Sequence, residues 1–375
     1  MIRKIFVLAA LCLLLTACGS KTQPETAFEI TGQMQLSYAD KFSVDYCADG
    51  CAVINIADDK FLLVPENTDI PEYAGDMTVL KQPLEPIYLP ASAAMDLFDA
   101  LGALDSVKFT STDVNSWSLP VVKKAMEDGK IMYAGKYNAP DYELLASENC
   151  GIAIESTMIN HSPETKEQLE MLGIPVLTEH SSYEEHPMGR LEWIKLYGLL
   201  TGREEAAQKY FDEKDKAFKA AVWADVPENE RKTAAFFYIS SNGYVNIRKP
   251  GDYISKMIEL AGGKYIFTAD KLNVEENALS TMNIQLEEFY STAKDADILI
   301  YNSTIAGELE GIDGLLAINP VFADFKAVKN GNVWCTEKNM FQQTTGAAET
   351  VSDLNMIFAG KADDKDELVF LHRLK

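Results

Sequence analysis

Two stretches of this chain run through the same succession of elements. The first, "PDYELLASENCGIAIES" followed by "TKEQLEMLGIPVLTE", reads as a helix, an apolar strand at 152–154, a second helix and a strand at 174–177. The second, "IQLEEFYSTAKDADILIYNST" followed by "FADFKAVKNGNVWCTE", repeats that order with strands at 298–301 and 333–335. Short, almost wholly apolar strands alternating with helices are buried on both faces, which is the condition of a parallel sheet with helical crossovers. Two copies of such a unit predict an α/β fold of two similar lobes, and 375 residues exceed what one core ordinarily holds.

Between the copies lies "HPMGRLEWIKLYGLLTGREEAAQKYFDEKDKAF". Leu191, Ile194, Leu196, Leu199 and Leu200 form an apolar stripe that continues through Ala206, Ala207, Tyr210 and Phe211. Gly198 and Gly202 weaken the middle, but the pattern predicts one rigid bridging helix of about 30 residues, roughly 45 Å long. Ahead of the first copy, residues 28–64 alternate apolar and polar, with turns at Asp49-Gly50 and Asp58-Asp59, and predict a small antiparallel sheet. The expected order is a signal peptide (1–17), a tether (18–27), a β-rich N-terminal extension (28–82), a first α/β lobe (83–190), a hinge helix (191–223), a second α/β lobe (224–358) and a C-terminal tail (359–375).

The first residues carry Arg3 and Lys4, then an apolar run to Leu15 that is too short to span a bilayer as a mature helix and reads as an export signal. Leu15-Thr16-Ala17-Cys18 resembles a bacterial lipobox, which implies a lipid on Cys18 and anchoring to the membrane outside the cytoplasm; an ordinary secretory peptide cut near Ala17 is the alternative. A net charge of −23 argues against nucleic acid as a partner. Beyond Cys12 and Cys18, four cysteines remain, of which Cys47 and Cys51 in "DYCADGC" are candidates for a small disulfide in an exported protein. A zinc site there would need further cysteines or histidines nearby, and none follows.

Taken together these features resemble the substrate-binding lipoproteins of ABC importers, in the class that binds ferric siderophores, haem and cobalamin and joins its lobes by one long helix. The resemblance rests on Ile87-Tyr88-Leu89-Pro90-Ala91-Ser92 leading to Ala100-Leu101-Gly102, on Gly135, Asn138, Glu143, Leu144 and Leu145, and on Leu286-Glu287-Glu288-Phe289 ahead of Ala296-Asp297-Ile298. It covers residues 83–358 and implies a monomer without enzymatic activity or cofactor, whose cargo is an iron chelate or tetrapyrrole passed to an ABC permease and, through it, the ATPase. It also implies that Glu143 and Glu287 dock onto permease arginines; each is equally a first-turn helical acid favoured by the helix dipole.

Ligands of α/β sheets bind in loops after the strands. In the first lobe these loops offer Trp117, Lys136, Tyr137 and Ser156 to Met158, and the turn into the hinge adds Tyr183, His186 and Arg190. In the second lobe they offer Tyr238, Tyr244, Arg248, Trp334, Phe341 and Gln342. Aromatic rings interleaved with cations suit a bulky, flat or anionic complex. Were that complex haem, Tyr183 or His186 would be the axial ligand. A direct divalent metal site is disfavoured, because His161, His180 and His186 all precede the second lobe and His372 falls in the tail. No phosphate loop, G-x-S-x-G elbow or HExxH motif marks an enzyme. A corrinoid carrier, a zinc or manganese carrier and a carboxylate hydrolase stand as alternatives.

Overall fold

The alternating segment near the N-terminus folds into β1 (Ile30–Gln33), β2 (Phe42–Cys47), β3 (Ala52–Ile56), β4 (Asp59–Val64) and β5 (Thr78–Lys81), hydrogen-bonded in that order. The first four pair antiparallel as expected, and β5 adds parallel to β4. The computed structural model describes residues 29–223, 225–362 and 368–375, so the signal, the tether and Cys18 lie outside the described residues. One face of this sheet closes a small core of Cys47, Cys51, Val53, Leu62 and Val64 against Tyr73 and Ala74. The other, carrying Phe42, Val44, Ile54 and Phe61, merges with the main core. Cys47 and Cys51, the candidates for a disulfide, are free and buried thiols, and burial raises the pKa of both, so that each is a weaker acid than an exposed thiol.

The first lobe is a parallel sheet of β6 (Ile87–Tyr88), β7 (Val107–Thr110), β8 (Met132–Tyr133), β9 (Ile152–Ser156) and β10 (Val176–Glu179), in the order β10-β9-β6-β7-β8. Its crossovers carry α1 (Ser92–Ala100), α2 (Pro120–Glu127), α3 (Tyr142–Ser147) and α4 (Pro163–Met171). The stretches 152–154 and 174–177 are buried almost throughout, as two-faced burial requires.

The bridge is three helices where a single rod was expected: α5 (Pro187–Glu192), α6 (Ile194–Thr201) and α7 (Glu204–Ala221). Gly202 ends α6 in the left-handed conformation at φ +67°, which glycine adopts without penalty, and Arg203 N donates to Gly198 O at 2.7 Å. The chain then turns so that α7 packs back on α6. A Cβ at Gly198 would sit 2.6 Å from the Cβ of Ala207, so the small residues read as weak helix formers are what let the two helices touch. The continuous 18-residue helix is α7.

The second lobe contains β11 (Thr233–Ile239), β12 (Val245–Arg248), β13 (Lys264–Tyr265), β14 (Thr281–Ile284), β15 (Ile298–Tyr301), β16 (Val333–Thr336) and β17 (Leu371–Arg373). The strand order is β14-β12-β11-β15-β16-β17, with β13 beside the start of β11. The β11, β15 and β16 strands are mutually parallel, while β12, β14 and β17 run antiparallel to their neighbours. The expected tail is therefore part of this lobe, because β17 pairs with β16 from Trp334↔Arg373 to Thr336↔Leu371. Helices α8 (Tyr253–Leu260), α9 (Leu286–Ala293) and α10 (Ala347–Ala359) cover the sheet.

Candidate functional site between the lobes

Loops at the ends of the first-lobe strands face a second-lobe wall across a cavity of about 440 Å³. The first lobe contributes Pro90 to Ala93 after β6, Ser156, Thr157, Met158 and His161 after β9, and Glu179, Ser182 and Tyr183 after β10. The opposite wall is Arg248, Asp252, Tyr253, Ser280 and Phe341, and Arg190 of α5 sits between.

The dominant chemistry is cationic and aromatic. The Arg190 guanidinium stacks 3.9 Å above the centre of the Tyr253 ring, yet its Nε, with the residue only 9% exposed, meets no hydrogen-bond acceptor among the described residues. Arg248 lies 5.1 Å from the Phe341 ring centre and pairs loosely with Asp252, Nη1 to Oδ2 at 3.4 Å. Asp252 is held by its own structural task, accepting from Ile254 N at 2.9 Å as the N-cap of α8. Glu179, at the end of β10, accepts from Ser181 N at 2.9 Å. Burial raises the pKa of both carboxyls above the ordinary range; the Ser181 bonds and then Arg190 oppose this at Glu179, and Arg248 opposes it at Asp252. The cavity therefore pairs two arginines with two carboxyls that ionise reluctantly, a balance that favours an anionic guest.

Tyr183, Arg190, Arg248 and Phe341 meet at this cavity. Other expected residues stand elsewhere. Trp117 is 1% exposed, its Nε1 donating to Thr112 O at 3.2 Å, and Trp334 is in the second-lobe core with Arg373 over its ring. Both fall on strand-end segments, but their side chains pack inward to bury apolar area. His186 turns away from the cavity: its Nδ1 accepts from Met188 N at the start of α5, and its ring stacks 4.5 Å from Tyr38. Burial lowers its pKa to about 4, so it is neutral there and suited to accepting that bond. Lys136 belongs to a two-strand hairpin with Ala139, Tyr137 lies in its turn, Tyr238 is half-buried in β11, and Tyr244 is exposed beside the 240–243 turn; none lines the cavity. Glu143 and Glu287 are exposed in the first turns of α3 and α9, one on each lobe. Tyr253, Asp252, Glu179 and His161 were missed, although "PGDY" marks a helix start with an aspartate cap.

Direct bonds also join the two lobes. Gln342 of the second lobe accepts from Ser118 N at 2.7 Å and donates to Ser116 O at 2.9 Å. Thr344 donates to Ala93 O, and Thr345 N donates to buried Asp96 at 2.8 Å.

Two α/β lobes, a helical bridge and a guest cavity between them are the architecture of a solute receptor. The chain matches the periplasmic binding protein family over residues 91–340 and belongs to that family, whose members are solute-binding proteins and not enzymes. Two uncharacterized lipoproteins of Methanocaldococcus jannaschii are each 24% identical to it: one alignment covers 91% of this chain and 89% of the relative, the other 95% and 90%. Among solved structures, a periplasmic haem-binding protein of Pseudomonas aeruginosa superposes with a TM-score of 0.60 at 15% identity, covering 78% of this chain and 99% of its own. A petrobactin-binding protein of Bacillus subtilis gives 0.56 at 16% identity, covering 75% and 93%. These likenesses share the fold.

Proposed function

We propose that this protein is a lipid-anchored, extracytoplasmic receptor that captures an anionic iron complex, a ferric siderophore or haem, and delivers it to an ABC permease. The observation that carries the reading is Arg190: a guanidinium stacked on Tyr253, nearly buried, with an unused donor beside the cavity. A buried donor left unpaired costs about 1–3 kcal/mol, which an oxyanion of the guest recovers. Arg248 supplies a second cation, while Tyr183 and Phe341 offer rings to a flat or catechol-bearing chelate. A haem guest would find Tyr183, with His161 on the same wall, as an axial ligand. Support for the anchor comes from the Leu15-to-Cys18 pattern and from the lipoprotein names of the relatives. A monomer suffices, since both walls belong to one chain.

The test is titration of the body against haem, cobalamin and several ferric siderophores, followed through the absorbance of the guest, because Trp117 and Trp334 are too buried to report reliably. Arg190→Gln should weaken binding of the anionic guest roughly 10- to 150-fold, the equivalent of one charge-assisted hydrogen bond. Binding confined to a neutral guest and indifferent to that substitution would overturn the reading.

A further inference from the structure

We propose that the second lobe carries a divalent-cation site at Glu308, Glu337 and His372, separate from the cargo cavity, for a first-row ion of the zinc or manganese kind. These residues come from three chain segments: the loop before residues 312–318, the residue following β16, and the terminal strand β17. One ligand atom from each lies within 4.8 Å of the other two. His372 Nδ1 is 2.8 Å from Glu337 Oε1 and 3.8 Å from Glu308 Oε1.

The imidazole's surroundings point to the ion. His372 is 7% exposed, and its Nε2 faces the carbonyl of Leu309 at 3.3 Å. A carbonyl only accepts, so Nε2–H faces it as donor, and an ion seated among the three side chains would take the place of the hydrogen that joins Nδ1 to Glu337. Three electron-pair donors converge on one point, and a metal-bound histidine characteristically donates its far nitrogen to a carbonyl in this way. Two carboxylates with one imidazole suit zinc or manganese better than calcium, which takes oxygen ligands alone. Ligands about 2.1 Å from a shared ion stand roughly 3.0–3.6 Å apart, so Glu337 need only withdraw slightly and Glu308, on the surface, swing inward. Lys338 reaches the other oxygen of Glu308 at 3.9 Å and offsets part of the charge.

The ion would fasten β17 to the segments that follow β15 and β16. Ile312 N already donates to the backbone oxygen of Lys375 at 3.2 Å, so the chain end is drawn to the same place. None of the three ligands lines the cargo cavity.

The test is calorimetric titration of the full chain, stripped with a chelator and kept in mild detergent, with zinc, manganese, calcium and magnesium. We expect one zinc or manganese ion per chain at micromolar concentration. Glu308→Gln, which is exposed and harmless to folding, and Glu337→Gln should each weaken it at least tenfold, while Arg190→Gln leaves it unchanged. No stoichiometric binding below about 1 mM would leave the three side chains as an ordinary hydrogen-bonded cluster, and would overturn the site. Binding that survives both glutamine variants, or that disappears with Arg190→Gln, would overturn it as well, the latter by placing the ion in the cleft.

Discussion

Replacing Glu192 by glutamine should cost this protein about 4 kcal/mol, because one carboxylate fastens the N-terminal extension to the bridge. Glu192 is fully buried, and its oxygens accept from Ser37 N at 2.9 and 3.0 Å, Tyr38 N at 2.8 Å and Ala39 N at 2.9 Å. Lys195 Nζ lies 2.7 Å away and is 6% exposed. Glutamine keeps a single acceptor oxygen, turns an amide N–H₂ toward those donors, and leaves the ammonium without its counter-charge. Breaking one side of a buried ion pair costs about 3–5 kcal/mol, and each buried N–H left unmatched about 1–3 kcal/mol more. Lys195 retains the Gln35 carbonyl at 2.8 Å and the face of Phe211 at 4.3 Å, so the lower part of the combined range applies. The assay is urea unfolding. At a slope of about 3 kcal/mol/M the midpoint falls by somewhat more than 1 M with the slope unchanged. Adding Lys195→Met should recover much of the loss, since it removes the stranded charge. A loss below about 1 kcal/mol, or a double variant that is simply additive, would refute the reasoning.

Glu155 gives a pH signature of opposite sense to ordinary acid denaturation. It is fully buried, neither oxygen finds a partner among the described residues, and burial pushes its pKa up to about 8. The folded protein then holds a proton that the unfolded chain releases above about 4.5, so this group's contribution to stability falls as pH rises from about 4.5 to 8 and is level beyond. Glu155→Gln should add about 3 kcal/mol at pH 7 and almost nothing at pH 4; a difference that does not vary with pH refutes it. For permease docking, Glu143→Arg and Glu287→Arg should each abolish uptake of cargo in cells while leaving its affinity within about twofold, and equal losses in both measurements would remove these residues from that role.

Much of the framework was legible because buried parallel strands leave a local mark. The runs at 152–154, 174–177 and 298–301 are apolar residue after residue, and the glycine after α1 fits its left-handed turn. The bridge was misread for a physical reason: helix propensity charges Gly198 and Gly202 about 1 kcal/mol each without saying whether the chain turns there, and only the approach of Ala207 settles it. The tail was misread because three residues of β17 carry little periodicity and the residues of β16 that pair with it lie 35 to 39 positions earlier. At the cleft, aromatics were easy to nominate and hard to sort. Trp117 and Tyr253 sit on comparable loop-helix junctions, and which ring turns inward depends on packing that no local pattern encodes. His186 was sent to the cleft by its neighbours in sequence, whereas its partner in space is Tyr38, far upstream. The grip of residues 37–39 on Glu192, continued by Asp40 N and Lys41 N donating to Glu184 at 3.0 and 3.1 Å, had no sequence signal at all, since backbone N–H groups of any residue type serve as its donors.

The bonds from Gln342, Thr344 and Thr345 to the first lobe act at the wrist between two hands. A receptor that swung widely when empty would spend part of each encounter waiting for a rare closed form, and its apparent affinity would be divided by that rarity. With the wrist already clasped, the empty and loaded forms are expected to differ little in outline. On the proposed function, selectivity then falls to the chemistry of the palm, above all to whether a guest can satisfy Arg190, and a membrane partner would have to recognise loading from a small change in the spacing of two surfaces.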